Sequence, residues 1–218
     1  MATTSEVDLC NLALDLLNVG QITSIEKPAT VTEELCSRWY DQTRKEALRR
    51  HPWNFAGKRA ILAPDSTDPL FGFSSQFPLP TDYIRIMYLN ESVTQFDNPI
   101  PSNRYTIEDG KILIGNILGA DTTQIQLIYV SDFTNVPQMD AGFISYFYTL
   151  LAQNMSYKLT QQNSAVERVN ALMDQAEGRA RAMDGQENPP RRIERSRNRR
   201  ARRQVGSVRN FDGTIVFD

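Results

Sequence analysis

Near the start of the chain, apolar residues recur every three or four positions, a spacing that places side chains on one face of a helix. The residues that repeat in this way are Leu9, Cys10, Ala13, Leu16 and Leu17. Ser5 followed by Asp8 is typical of a helix start. The pattern predicts that this helix runs to about Asn18, with Gly20 as its stop.

A second helix is predicted from about Pro28 to His51. Thr30 and Glu33 are spaced as a capping box near its start. The helix must end near His51, because a residue that precedes proline avoids helical backbone. Steps of four along this helix connect Val31, Leu35, Trp39, Thr43 and Ala47.

Between residues 56 and 137 the prolines disfavour long helices, and the pattern changes to that of strands. Apolar residues alternate with other residues over 84–88 and again over 125–129, which is the period of a strand. Two further apolar runs flank Asp109-Gly110, and this dipeptide between such runs is a strong hairpin signal. The segment is therefore predicted to form a small antiparallel sheet.

Helical spacing returns after residue 137. Asp140 is placed to cap the most apolar helix of the chain, and Asn163 or Ser164 to cap the next one. The helical positions of the first are Phe143, Ile144, Phe147, Tyr148, Leu151, Met155 and Leu159, and those of the second are Val166, Val169, Leu172, Met173, Ala176, Ala180 and Met183. The small residues and methionines of the second are expected to be bundle core, with a binding groove as the alternative. The periodicity stops after Gly185.

The predicted fold class is α+β: an antiparallel bundle of about four helices with an inserted small antiparallel β-sheet domain and an extended C-terminal arm. Residues 1–55 and 138–185 supply the two helical pairs of the bundle. Residues 56–137 form the inserted β-rich domain, and residues 186–218 form the arm.

The net charge of −2 conceals a strong asymmetry. Residues 186–218 carry nine arginines, no lysine and four acidic residues, a net charge of +5, which leaves −7 on residues 1–185. Arginine is preferred where planar, bidentate contacts to phosphate or carboxylate are needed. The arm is therefore expected to bind nucleic acid or an acidic protein surface, with a merely solvated tail as the remaining alternative. Its last apolar residues suggest that it adds a strand to a partner's sheet.

The scarce residue types limit which metal, redox or catalytic sites the chain can form. A single histidine, His51, excludes multi-histidine metal sites, and Cys10 and Cys36 are not spaced as a redox pair. We expect His51 to interact with the last carbonyl groups of its helix, with a general base as the alternative. We expect no catalytic, metal-binding or cofactor-binding residues, and so no enzyme. The longest uncharged stretch, residues 141–157, contains polar side chains and is too short to span a membrane.

Several strings resemble the tail tubular protein A family of short-tailed bacteriophages. The strongest is Arg50-His51-Pro52-Trp53-Asn54-Phe55-Ala56, and the others are Leu12-Ala13-Leu14, Leu17-Asn18-Val19-Gly20, the set Cys36, Tyr40, Arg44 and Leu48, Arg59-Ala60 with Leu62-Ala63, and the run from Phe77 to Ile86. The resemblance covers residues 5–90 and extends, through architecture, to about residue 185. The arginine run of the arm matches no motif of the family.

The resemblance implies a structural head-to-tail adaptor of a phage virion, assembled in the host cytoplasm. Such proteins form a ring, usually of twelve copies, between the portal protein and a tail nozzle protein of the tail tubular protein B type. The ring leaves a channel through which DNA passes during genome ejection, with only transient contact. The implied partners are therefore other copies of the chain, the portal protein and the nozzle protein, with no membrane.

Family members commonly dock on the portal through C-terminal extensions, so the resemblance favours the arm as the docking element. The residues expected to dock are Arg191, Arg192, Arg195, Arg197, Arg199, Arg200, Arg202, Arg203, Phe211, Ile215, Val216 and Phe217. Trp53 and Phe55 are interpreted as core that fixes the junction of bundle and sheet. The alternative function is a DNA-binding packaging or genome-organising protein that acts through the same arginines.

Overall fold

A computed structural model of the chain describes residues 5–89, 105–115 and 124–187, together with two short strands near the C-terminus. The chain divides into two compact units, Met1–Glu187 and Asn188–Asp218. Within its described residues the first unit, the body, contains four α-helices and two three-stranded antiparallel sheets. The predicted α+β class, with strands inserted between two pairs of helices, is confirmed.

The first helix, α1 (Glu6–Leu17), begins with the capping interaction that the sequence indicates. The Asp8 amide donates to the Ser5 hydroxyl oxygen at 3.2 Å, and the Asp8 carboxylate accepts from the Ser5 amide at 2.8 Å. The prediction that Gly20 ends this helix is wrong. The helix ends in a left-handed residue at Asn18 (φ 57°), a conformation that asparagine tolerates better than most residues.

The second helix, α2 (Val31–Arg50), starts at the predicted capping box of Thr30 and Glu33 and ends at His51. Only part of the series in steps of four is buried, because Val31 is 67% exposed and Trp39 is only half-buried. Four residues advance more than one 3.6-residue turn, so steps of four drift around the helix. Its buried residues are Glu33, Leu35, Cys36, Tyr40, Thr43, Arg44, Ala47 and Leu48.

Six strands form two sheets in the described part of the body, where the sequence predicts one sheet. The strands are β1 (Gly57–Leu62), β2 (Ser75–Pro78), β3 (Tyr83–Leu89), β4 (Tyr105–Glu108), β5 (Lys111–Ile114) and β6 (Ile125–Ser131). One sheet has the order β1-β6-β3 and the other the order β2-β5-β4. The local sequence pattern does not predict β1 or β2 as strands. Each pairs with a strand distant in sequence, so neither belongs to a local hairpin.

The hairpin between β4 and β5 is confirmed at Asp109-Gly110. Both residues have positive φ, 47° and 68°, as the two central residues of a type I′ turn require. Glycine adopts such angles without a steric penalty, and aspartate tolerates them.

The helix α3 (Ala141–Thr160) is the central helix of the bundle and packs against α1, α2 and α4 (Asn163–Glu187). Its predicted cap is confirmed, because the Asp140 carboxylate accepts from the amides of Gly142 and Phe143. The start of α4 is less well predicted, since Asn163 is already its first helical residue. The helix also runs two residues past Gly185. The bundle core and the sheet core are separate clusters of buried apolar residues.

The Glu33 carboxylate fastens the loop before α2, and its contacts predict a pH-dependent stability. It accepts from the amides of Ala29 (2.8 Å) and Thr30 (3.1 Å) with one oxygen and from Thr23 with the other. These hydrogen bonds, with the Ala29 amide contributing most, hold the pKa of Glu33 below its usual value.

We expect Glu33→Gln to lower the melting temperature at pH 7, because an amide nitrogen would face backbone donors. A depressed pKa stabilises the folded state above the unfolded pKa of about 4.3, and this stabilisation is lost as the pH falls through the folded pKa. Thermal melts between pH 7 and pH 3 should therefore show the gap between wild type and Glu33→Gln closing in acid. Glu34→Gln, an exposed neighbour, is the control, and a gap that stays constant with pH would contradict the assignment.

Candidate functional site

The segment that joins α2 to β1, residues 50–56, packs against the bundle core, and we call it the joint. Its Trp53 is fully buried, and the indole N–H donates to the Ala47 carbonyl at 2.9 Å. The Trp53 ring contacts Phe143 edge-on at 5.1 Å between centroids. Phe55, half-buried, packs edge-on against Phe143 and Phe133. The structure thus places both aromatic residues singled out by the sequence analysis where helix α2 passes into the sheet.

A buried carboxylate, Asp184, ties the end of α4 to the joint. Asp184 is 4% exposed, and its Oδ2 lies 3.0 Å from Nε2 of His51. Its Oδ1 accepts from the backbone amide of Asn54 at 2.8 Å, and the Asn54 side chain donates to the Asp184 carbonyl at 2.7 Å. The ring of His51 therefore contacts a carboxylate 133 residues away, instead of the last carbonyls of its own helix as predicted.

Ion pairs extend this connection between α2 and α4. Arg50 contacts Glu46 on its own helix and Glu177 on α4, while Arg181 pairs with Glu177. The Arg181 guanidinium also lies near the Arg50 carbonyl, at 3.4 Å. The C-terminal end of α2 is thus held to α4 by charges as well as by the buried Asp184.

A second buried charge, Arg44, connects α2 to the end of β6. Its guanidinium is 3% exposed and donates to the Asp132 carboxylate, to the Phe133 carbonyl at 2.9 Å and to Asp41 at 3.0 Å. Burial alone would lower the pKa of Arg44, but hydrogen bonds to Asp132 and Asp41 raise it overall. The cation is therefore fully compensated, as burial of a charge requires.

The reactive residue types do not gather into a site within residues 5–89, 105–115 and 124–187. No group of three or more histidine, cysteine, aspartate or glutamate side chains there could hold a metal ion. Cys10 and Cys36 are both buried. The pKa of the Cys10 thiol is raised, first by its contact with the Cys36 side chain and second by burial. In the same part of the chain, no helix has the length and apolar character needed to cross a membrane.

The predicted docking residues of the arm fall largely outside the described part of the chain. This applies to Phe211 and to every arginine from Arg191 to Arg203. Ile215, Val216 and Phe217 form the strand β8 (Ile215–Phe217), which pairs antiparallel with β7 (Ser207–Arg209). The addition of this end of the arm to a partner's sheet stays a prediction.

Two further surface features of the body are an exposed apolar loop and a groove between two helices. Leu70 and Phe71, in the loop between β1 and β2, are 97% and 86% exposed. A groove of about 360 Å³ runs between α3 and α4. The adjacent apolar pair between Pro69 and Gly72 is the signal that could have drawn attention to the loop, because turn residues flank side chains that normally seek burial. The small residues and methionines of α4 are the sequence signal for the groove, although their helical spacing favours bundle core.

No protein-family model matches the chain, and no curated protein matches it.

The contacts of Asp184 predict the effect of removing its charge. Asp184→Asn replaces an acceptor oxygen with a donor facing the Asn54 amide or the His51 ring. We expect the free energy of unfolding to fall by about 1–3 kcal/mol, the usual cost of leaving a buried polar group without a partner. Hydrogen exchange should quicken in the last two turns of α4, because these are the turns that Asp184 fastens.

The matched control is Asp174→Asn, which removes an exposed carboxylate from the same helix. Denaturant unfolding of this variant should stay within about 0.5 kcal/mol of wild type. Equal effects of the two substitutions would show that Asp184 does not hold the joint.

Proposed function

We propose that the chain is a structural head-to-tail adaptor of a phage virion, which forms a ring between the portal and the tail nozzle. The observation that carries the proposal is the string from Arg50 to Ala56, the strongest point of resemblance to the tail tubular protein A family. In this protein the string is the joint, and His51, Trp53 and Asn54 make its long-range contacts. The resemblance therefore rests on residues that set the architecture of the body.

The fold is consistent with the proposal. The family resemblance implies a helical bundle with a β-rich insertion. The described residues of the body form four helices, with strands inserted between the second and the third. The charge of residues 1–185 also suits a DNA channel. A net charge of −7 repels phosphate, which would let DNA slide past the body without sticking.

The arm is the proposed docking element for the portal. The 31 residues after Glu187 can reach at most about 100 Å when extended, which is enough to cross a neighbouring subunit. Guanidinium groups bind carboxylates through two parallel hydrogen bonds, so an arginine-rich arm fits an acidic protein surface. Repetition around a ring multiplies the gain from each arm through avidity.

A second candidate function is favoured by the same nine arginines. The arm could neutralise DNA phosphates, as in a packaging or genome-organising protein. Such binding is dominated by release of counterions, so it weakens steeply with salt and depends on charge more than on side-chain geometry.

Substitution of the arm arginines distinguishes the two functions. One full-length variant replaces all eight arginines between 191 and 203 with glutamine, and a second replaces them with lysine, which keeps the charge but loses the planar fork. Under the adaptor proposal, portal rings of the same virus capture both variants more weakly than wild type. For the glutamine variant, the affinity for the portal falls by more than about tenfold. Co-sedimentation and negative-stain images of the mixtures measure this capture.

Duplex DNA binding, measured by mobility shift across salt concentrations, is the parallel assay. Tight binding with a steep salt slope, retained by the lysine variant and lost by the glutamine variant, supports the DNA-binding function. Normal portal capture by the glutamine variant would overturn the docking role of the arm.

A further inference from the structure

The loop between β1 and β2, residues 63–74, presents an apolar tip on a fixed base. Leu70 and Phe71 at the tip are almost fully exposed, and the positive φ of Gly72 (79°) turns the chain beside them. At the base, Asp65 pairs with Lys111 at 2.7 Å, and the Asp65 amide donates to the Gln76 carbonyl at 2.8 Å. Two neighbouring large apolar side chains held out in this way are typical of a contact surface.

The base of the loop is tied further along its length. The Gln76 side chain donates to the Thr67 carbonyl at 2.6 Å, and the Thr67 amide donates to the Asp65 carboxylate. Ser74 donates from its amide to the Ile114 carbonyl at 3.0 Å. Because these contacts hold the base of the loop before it binds, docking of its tip costs less conformational entropy than docking of a loop without them.

The groove between α3 and α4 has the size and lining to receive such a tip. Its floor consists of small residues, and the exposed side chains of Leu172 and Met183 line it as well. The small residues are Gly142, Ser145, Ala176 and Ala180. A Cβ on Gly142 would lie 2.8 Å from the Asp140 carboxylate and 3.4 Å from Cα of Ala180, so the close approach of the two helices depends on this glycine. A volume of about 360 Å³ suits two side chains and is too small for a folded element.

The charges beside the two features are complementary. Asp68 is exposed two residues before Leu70, and Glu108 and Asp109 lie with the loop around a shared depression. Arg179, also exposed, lines the groove. Within the part of the chain that the structure describes, the side chains of Asp68 and Arg179 have no hydrogen-bond or ion-pair partner, so each is available to a group of opposite charge.

We infer that the β1–β2 loop of one copy of this chain seats its tip, Leu70 and Phe71, in the α3–α4 groove of a second copy. The loop and the groove share no residue, so each copy can give its loop to one neighbour and receive the loop of another. Such a head-to-tail contact generates a closed ring when the rotation between copies closes. The inference deepens the proposed function, on which its ring geometry rests, by naming the contact between copies.

Sedimentation velocity of the full chain over a range of protein concentrations tests the contact. Leu70→Ser/Phe71→Ser should weaken self-association by more than about tenfold, as expected for loss of two central apolar side chains. The variant should fold normally, because both side chains are exposed. Val31→Ser, which removes another exposed apolar side chain, is the matched control and should associate like wild type.

Cross-linking then identifies the groove as the receiving surface. A Phe71→Cys copy is mixed with an Ala176→Cys copy and treated with a short bis-maleimide. Cys10 and Cys36 are fully buried, so the introduced thiols are the ones that react. A covalent heterodimer is expected, with a much lower yield when the second copy carries cysteine at Glu26, an exposed position away from the groove.

A yield no higher with Ala176→Cys than with Glu26→Cys overturns the inference. So does a loop variant that self-associates normally, a chain that stays monomeric at every concentration, or loss of binding to the nozzle protein without loss of self-association. Portal capture is measured on the same proteins and tests the adaptor function separately. Cross-linking without portal capture supports this contact and overturns the adaptor function. Portal capture without cross-linking supports the adaptor function and overturns this contact.

Discussion

The architecture of the body depends on one buried carboxylate, Asp184, which joins the two ends of the helical bundle across the inserted strands. A carboxylate taken out of water is tolerated only when hydrogen-bond partners compensate it. Here the partners are the His51 ring and the Asn54 amide, both in the joint. Asn54 and Asp184 are 130 residues apart in sequence, so this contact closes a loop that contains the inserted strands and α3, and it helps to recover the entropy cost of that closure.

The same tie sets the relation of the bundle to the sheet. Trp53 lies between His51 and Asn54 in sequence, so fixing its neighbours directs the indole into the bundle core, where it packs edge-on against Phe143. The strand β1 then starts immediately after the joint, and Arg44 fastens the end of the adjacent strand β6 to α2. The first strand and its central partner are therefore both anchored to one helix, which limits how the sheet can turn against the bundle.

Features that depend on residues within one turn of each other were predictable from the sequence. The capping boxes at Ser5 and Thr30 and the turn at Asp109-Gly110 follow from spacing alone. Long-range features were not predictable. The pairing of β1 with β6 and the contact of His51 with Asp184 involve partners that no local period indicates. The sequence leaves groove and core as alternatives for the small residues and methionines of α4 for the same reason, since exposure of a helical face depends on which helix packs beside it.

The two proposed associations draw on different physical forces, and this gives them different responses to salt. Burial of Leu70 and Phe71 in a neighbour's groove is a hydrophobic contact, which salt does not screen and some salts strengthen. Docking of the arginine arm is electrostatic, and its exposed charges are screened within about 10 Å at 0.1 M salt. Rising ionic strength should therefore release the arm from its partner before it separates one copy from the next. A ring held in this way can persist as a unit while its attachment to the portal is made or broken, an order of events that a single type of contact would not produce.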